Sequence, residues 1–318
     1  LSCLANRVTE RLVKTFVIVN PAAARGRGRR IWAELADALY DRLGVFEYEF
    51  TNAASAATVL AHQAVLQGYR RIIAVGGDGT VNEVLNGLFT PDGKPLSPDV
   101  VLGCLPAGSG TDFWKSLGLP ERTTRAIKHL SGATTRLCDV GRVELSSPDG
   151  LPLVRYFCNV ADVGLGGAVV DRAKKMPVLG RGFLNYFWSA LASSWQWQAQ
   201  AMEITIDGKR MPREYLVTAL IANGAYCGGG MHIAPTAQLD SGAFELVRIR
   251  ALTRFQLIAA LPKLYTGTLC ELPQVKTVRA KEITVTSSRP LPVTLDGEIA
   301  GIVPATFRVL PRTLRVLC

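Results

Sequence analysis

Three times in the first 112 residues, an apolar strand-like run stops at a turn of small residues. Thr15–Val19 stops at Asn20-Pro21-Ala22-Ala23-Ala24, and Arg71–Val75 stops at Gly76-Gly77-Asp78-Gly79-Thr80. Val100–Leu105 stops at Pro106-Ala107-Gly108-Ser109-Gly110-Thr111-Asp112. Helical spacing follows the first two: Ile31, Leu35, Ala38, Leu39 and Leu43 share one side of Arg30–Arg42, and Val81–Leu88 reads as helix. Another helix is expected after the third turn. A second strand, Val45–Phe50, and a helix over Ala53–Gln67 lie between the first two turns. Strand, turn and helix in this order predict a largely parallel sheet covered by helices. In such open sheets, ligands sit at the carboxyl ends of strands. Glycine lets the backbone approach a phosphate and turn N–H groups toward it, and the next helix adds its dipole. Three such turns at equivalent positions predict one composite phosphate site.

The site is not a P-loop, because the sequence has no GxxxxGK[ST]. It is a poor dinucleotide fingerprint too, since Gly77-Asp78-Gly79 is followed by Thr80-Val81-Asn82 without a third glycine. An acid inside the loop would repel a bare pyrophosphate. Asp78 makes chemical sense with Mg²⁺ between it and the phosphates, because that ion prefers one or two carboxylates plus phosphate oxygens and waters.

After about residue 140 the rhythm changes to short β-rich segments. They are Arg142–Leu145, Val154–Val160, Met202–Ile206, Leu216–Ala222, Phe244–Arg250, Ile283–Thr286, Pro292–Leu295 and Thr306–Leu310. Turn residues between them predict an antiparallel second domain. Helical pieces interrupt it at about 166–175, 181–197 and 252–265. With 48% hydrophobic residues, the chain can fill two cores. No apolar run reaches the length of a transmembrane segment, and the first residues do not read as a signal peptide. Seven cysteines, widely spaced and without a CxxC pair, argue for free thiols in a reducing cytosol. The three scattered histidines lack metal-ligand spacing. Lys and Arg outnumber Asp and Glu by 36 to 26, a net charge of +10. This suits phosphate-rich ligands or an anionic membrane surface. Arg25, Arg27, Arg29 and Arg30 cluster without interleaved aromatics, so nucleic acid is not expected.

The segment VGGDGTVNEVLNGL (75–88) resembles the central motif of the diacylglycerol kinase catalytic domain family, which includes bacterial YegS-like lipid kinases and is related to sphingosine and ceramide kinases. LPAGSGTDFWKSLGL (105–119) is similar to a further turn of that family. NVADVGLGGAVV (159–170), LGRGFLNY (179–186), IANGAYCGGGMHIAPTAQLDSGAFELV (221–247) and LDGE (295–298) resemble its second-domain motifs. The resemblance implies an ATP-binding α/β domain over 12–140, with a mostly parallel sheet of the NAD kinase and diacylglycerol kinase kind, joined by a tail returning at about 305–318. It implies an antiparallel, sandwich-like lipid-substrate domain over 141–304. It implies that Gly76, Gly77, Asp78, Gly79, Thr80, Val81, Asn82 and Glu83 hold ATP, opposed by Asn20, Pro21, Ala22, Ala23 and Ala24. Thr51, Gly108 and Ser109 join the nucleotide set. Asp78, Asp112 and Asp139 form an acidic network for Mg²⁺, partly through water. Asp296 and Glu298 are the pair from which the catalytic base is drawn. Three departures stand out. Ala23 and Ala24 replace Ser and Gly, Thr111 replaces an asparagine, and Ser241 replaces an aspartate, which puts a second Mg²⁺ near Asp240 in doubt.

The expected activity is ATP- and Mg²⁺-dependent transfer to a lipid hydroxyl, of diacylglycerol or a similar lipid, by a cytoplasmic protein that visits the inner face of the membrane. The motif spacing does not divide the roles of Asp296 and Glu298; Glu298 is preferred as base and Asp296 as partner. Arg25 or Arg27 would face the γ-phosphoryl group or simply solvent. Phe183, Phe187, Leu191 and Trp195 recur at helical spacing, as a core stripe or as a wall for an acyl chain. A homodimer is compatible with all of this and specified by none of it. Two rivals are a soluble-substrate kinase of the NAD kinase type and a non-catalytic nucleotide- or lipid-binding regulator.

Overall fold

The computed structural model describes residues 13–26, 28–107, 111–119, 123–130, 134–175, 189 and 192–318. Its first half is built on β1 (Thr15–Val19), β2 (Glu47–Phe50), β3 (Arg71–Gly76) and β4 (Val101–Pro106). All neighbouring pairs are parallel, in the order β4-β3-β1-β2. β1 is buried along its whole length and β3 nearly so, as expected of strands covered on both faces. The edge strand β2 differs: its Glu47-Tyr48-Glu49 are exposed, and such charges discourage pairing with another chain. The helices of this half are α1 (Ala23–Gly26), α2 (Gly28–Leu43), α3 (Ala56–Leu66), α4 (Asp78–Gly87), α5 (Asp112–Ser116) and α6 (Thr123–Leu130). Trp32, Leu35 and Leu39 of α2 and Ala57, Ala61 and Ala64 of α3 pack on the sheet.

The second half is antiparallel throughout. Its strands are β5 (Thr135–Ser146), β6 (Pro152–Phe157), β7 (Val160–Gly164), β8 (Gln200–Ile206), β9 (Lys209–Arg210), β10 (Glu214–Ala222), β11 (Tyr226–Cys227), β12 (Met231–His232), β13 (Phe244–Arg250), β14 (Val275–Ala280), β15 (Glu282–Thr286), β16 (Pro292–Leu295) and β17 (Glu298–Leu317). Helix α7 (Leu165–Lys175) follows β7 directly. The expected single strand Val154–Val160 is in fact two, β6 and β7, broken at Cys158-Asn159.

The strand pairing closes a ring, β7-β16-β17-β15-β8-β10 and back to β7. The two layers of the sandwich therefore share β10 and β17. Both shared strands shift register at the handover, β10 between Leu216 and Thr218 and β17 between Ile302 and Thr306. Irregularities of this kind let a strand turn a corner between sheets. Phe157, Phe244 and Phe307 fill the space inside.

β17 also joins the two halves. Its residues 305–308 pair with β15, while Arg315 and Val316 pair in parallel with Val101 and Leu102 of β4. Between these stretches Arg312 adopts a left-handed conformation, φ 52°. Leu314, Val316 and Leu317 belong to the core of the first half.

Candidate active site

The parallel register places the three turns side by side. Val19 is opposite Val75, Val75 opposite Leu105, and Gly76 opposite Pro106. The loops that leave β1, β3 and β4 therefore emerge from one sheet edge. Asn20 ties two of them together. Its side-chain N–H donates to Thr80 Oγ1 at 2.9 Å, its Oδ1 accepts from Ala22 N–H at 3.0 Å, and its own N–H donates to the Val75 carbonyl at 3.0 Å. Two glycines are required by close approach. A Cβ on Gly76 would lie 2.3 Å from Thr80 Oγ1, and one on Gly28 would lie 2.2 Å from the Asn20 carbonyl oxygen. Replacement of serine and glycine by Ala23 and Ala24 leaves this backbone path intact. Thr51 ends β2 at the same edge, its N–H donating to the Val19 carbonyl at 2.9 Å. Gly108, Ser109, Arg27 and the side chain of Arg25 lie outside the described residues. Arg29 stacks over Phe50 at 5.0 Å, and Arg30 pairs with Glu34 at 3.1 Å.

Helix α4 starts at Asp78, three residues earlier than the sequence pattern suggests. The Asp78 carboxylate then caps the neighbouring helix, accepting from the N–H groups of Asp112 at 3.0 Å and Phe113 at 3.1 Å. Burial pushes the Asp78 carboxyl up to about 7. The negative charge of Asp112 adds to this, and the two N–H bonds oppose it. Asp112 is buried as well, and burial raises its pKa. One of its oxygens accepts from Gly229 N–H at 2.7 Å, across the domain seam. The other, Oδ1, is buried with no hydrogen-bond partner among the described residues. Two adjacent carboxylates, Asp112 buried and Asp78 half-buried, form the hard oxygen donor set that suits Mg²⁺. No group of three or more His, Cys, Asp and Glu among the described residues could hold a metal by itself. The residues thus fit an ion shared with phosphate oxygens.

Asp139 is placed elsewhere. Its carboxylate accepts from Gly242 N–H at 2.6 Å and from Arg312 N–H at 2.8 Å. It fastens the returning strand and the 239–242 turn instead of joining Asp78 and Asp112. Asp240 pairs with Arg136 at 2.8 Å. Glu83 faces α3 and accepts from Ser55 and Ala57 N–H at 3.1 and 3.2 Å, a cap supplied from another helix. Val81 is a core residue.

Asn82 and Asp296 meet across the domains. Asn82 donates its side-chain N–H to Asp296 Oδ2 at 2.9 Å and to the Tyr156 carbonyl at 3.0 Å. Asp296, in a left-handed turn residue with φ 47°, accepts three further N–H groups. These come from Cys158 at 3.0 Å, Asn159 at 2.9 Å and Val160 at 3.0 Å. Each carboxylate oxygen therefore holds two donors, which fills its acceptor capacity. Burial pushes this carboxyl up, against the pull of the four donors. Glu298, two residues on, is exposed. Its carboxylate lies over the first turn of α4, where a Cβ on Gly79 would be 3.4 Å from Oε1. The turn thus carries one saturated, buried carboxylate and one exposed carboxylate that lies beside Gly79 at the start of α4.

Sequence reasoning missed three seam residues. Asn86 bonds the Tyr156 backbone in both directions, at 2.9 Å each. Asn159 accepts from Ser116 Oγ at 2.8 Å, and Asn223 donates to the carbonyls of Asp139 and Cys158. The spacing of Asn82 and Asn86, one helical turn apart, is the signal that could have marked that face.

A cavity of about 430 Å³ opens in the second domain. Its walls are mostly apolar, including Val169, Leu220, Ile249, Leu257 and Leu264, and it reaches Gly297 between Asp296 and Glu298. Trp197 lines it and donates its indole N–H to the Val217 carbonyl at 3.1 Å. Trp195, from the aromatic stripe, is 47% exposed. Phe183, Phe187 and Leu191 lie outside the described residues. Among the described residues, no helix is long and apolar enough to cross a membrane.

Comparison with known proteins agrees with this geometry. Residues 14–143 match the diacylglycerol kinase catalytic domain. Residues 159–318 match the YegS C-terminal NAD kinase beta sandwich-like domain. A diacylglycerol kinase of Mycobacterium tuberculosis is 28% identical over 306 residues, 96% of this chain and 94% of the relative. A probable lipid kinase YegS-like of Chromohalobacter salexigens is 34% identical over 249 residues, 75% of this chain and 73% of the relative. The crystal structure of a diacylglycerol kinase from Bacillus anthracis superposes with a TM-score of 0.70, at 21% identity and 96% coverage of each chain. The chain belongs to the diacylglycerol kinase catalytic domain family and is a lipid kinase.

Proposed function

We propose that the protein transfers the γ-phosphoryl group of ATP to the hydroxyl of a lipid, diacylglycerol or a similar lipid, with Mg²⁺. The observation that carries this reading is the position of the Leu295-Asp296-Gly297-Glu298 turn. It touches the phosphate-binding edge through Glu298 and Asn82, and it lines the apolar cavity through Gly297. Nucleotide and lipid therefore meet at one turn.

The N–H groups of the loops after β1, β3 and β4 bind the phosphates, with Asn20 and Thr80 holding two of the loops in register. Asp78 and Asp112 would hold Mg²⁺, which when bound neutralises charge on the phosphates. Asp139 supports the site from behind by anchoring β17. Glu298 accepts the proton of the lipid hydroxyl as its oxygen attacks the γ-phosphorus and the bond to the ADP oxygen breaks. Asp296 has no acceptor site to spare, so its work is to hold the turn and orient Glu298 against α4. The apolar cavity takes the lipid tail and keeps water from the acceptor side. The net charge of +10 favours brief residence on an anionic membrane face, consistent with a cytoplasmic protein that works at the surface.

The test is ³²P transfer from ATP to lipids in mixed micelles, with NAD alongside. Labelled lipid that requires Mg²⁺ is the expected result. Labelled NADP with no labelled lipid moves the protein to soluble substrates. ATP binding without any product makes it a regulator.

A further inference from the structure

The cavity is not uniformly apolar. Asp162 is the only charged side chain among the described residues that line it, and it is buried. It lies on β7 opposite Thr294 of β16, and both face the cavity together with Thr218 of β10. Asp162 Oδ2 accepts from the Thr218 hydroxyl, and Oδ1 accepts from Gly166 N–H at 2.9 Å. These two bonds use about half the acceptor capacity of a carboxylate. The Gly166 bond caps α7, but a serine or asparagine would cap that helix without burying a charge. Burial pushes the Asp162 carboxyl up to about 6, so at neutral pH it is mainly ionised and can only accept hydrogen bonds.

The position is informative. Two residues along β7 from Asp162, Val160 N–H is bound by Asp296. Two residues of extended strand span roughly 7 Å. A headgroup held by Asp162 therefore lies close to the Asp296-Gly297-Glu298 turn, whose Gly297 lines the same cavity. The remaining space is limited. A dry engineered cavity of about 150 Å³ takes benzene, with six carbons. On that scale 430 Å³ takes roughly 17 carbons, one long chain and not two.

We propose that Asp162 selects the acceptor: a single-chain lipid alcohol that carries a second hydrogen-bond donor, a hydroxyl or an amine, beside the hydroxyl that is phosphorylated. This rests on the lipid kinase reading above and narrows it. A diacylglycerol offers an ester at the neighbouring carbon, which brings an acceptor against an acceptor and adds a second chain.

The experiment compares kcat/KM for four lipids at equal surface concentration in mixed micelles. They are 1-monooleoylglycerol, sphingosine, 1,2-dioleoylglycerol and the monooleate of 1,3-propanediol, which has one chain and no second donor. The expected order places monooleoylglycerol or sphingosine at least ~30-fold above the propanediol ester, with dioleoylglycerol also below. The better of the first two identifies the donor as hydroxyl or amine. Asp162→Asn keeps an oxygen for Gly166 N–H and is expected to cut the ratio to about threefold or less. Equal rates on monooleoylglycerol and the propanediol ester overturn the proposal without any variant. So does faster turnover of dioleoylglycerol, or an Asp162→Asn protein that loses the same factor on every lipid, which is the behaviour of a helix cap alone. Labelling of none of the lipids sinks the kinase reading and this inference with it, whereas labelling in the wrong order sinks only the inference.

Discussion

In the proposed site, the first-domain side of the cleft is built mainly from the backbone of the turns that leave β1, β3 and β4. The second-domain side is built from side chains contributed by β7, β10 and β16 and by several helices. A site made of backbone depends on path, and the path is fixed by close contacts such as Gly76 against Thr80 and Gly28 against Asn20. Such a site is expected to tolerate changed side chains, such as those of Ala23 and Ala24. A pocket made of side chains depends on each one, and its selectivity can drift while the fold stays. Among the described residues, Asp78 and Asp112 bring charge into the backbone-built side, and burial there opposes their ionisation.

That opposition gives the largest expected effect. Asp78→Asn should lower kcat about 10³-fold while stabilising the ligand-free protein at pH 8. The sign follows from the raised carboxyl. Below about pH 4 the group is protonated folded and unfolded, and it costs nothing. From about pH 4 to 7 the unfolded chain ionises first, so stability falls as pH rises, and above 7 the penalty is complete. A shift from 3.8 to about 7 corresponds to a penalty on the order of 4 kcal/mol. Asparagine imitates the protonated acid, so its Tm should exceed that of the native protein by on the order of 5 °C at pH 8. The gap should close toward pH 4. Mg²⁺ should raise the Tm of the native protein more than that of the variant. A variant that is less stable at every pH would show that Asp78 is only a helix cap.

Glu298→Gln tests the meeting point of the two sides. The expected loss is about 10²-fold in kcat, with the thermal shift caused by Mg-ATP retained. Loss of the shift would place Glu298 in nucleotide binding instead. On the side-chain side, Ala260→Phe fills part of the cavity from a buried position. It should raise KM for long-chain acceptors about tenfold more than for short-chain ones, within the 1–3 kcal/mol range of pocket packing. Equal effects on both would move the chain-binding site elsewhere. The smallest effect belongs to Ala23→Ser, which restores a hydroxyl donor to a turn that already works through its backbone. The KM for ATP should fall about two- to threefold, the worth of one exposed hydrogen bond. A much larger fall would mean that this turn is not mainly a backbone device.

The same contrast explains how much could be read from the sequence. The strands of the first half and the three turns were legible, because a buried parallel strand is a short apolar run and a phosphate turn needs small residues. Asp78 stands out in the sequence as an acid inside a glycine turn, but its cap on α5 does not, since that bond joins two turns distant in sequence. Glu83 sits inside a family motif and Asp139 matches a family acid, yet their carboxylates hold backbone N–H groups of other elements. Motif membership cannot separate those duties. β14 was missed because Lys276, Thr277 and Arg279 break its apolar alternation. The cavity was invisible because its walls come from many separate segments, and Asp162 looks like an ordinary turn acid until β7, β10 and β16 are laid side by side.

β17 has a consequence for the order in which this protein is made. Val101 pairs with Arg71 of β3 on one side, but its partner on the outer side, Arg315, arrives only after the whole second domain has been synthesised. A nascent chain can pair β1, β2, β3 and β4 early, but the outer edge of β4 and the core around Val140 stay uncovered until β17 arrives. Domains commonly mature from the N-terminus onward; here the first half is sealed last. An incomplete chain would therefore present an open sheet edge, suited to quality control by chaperones.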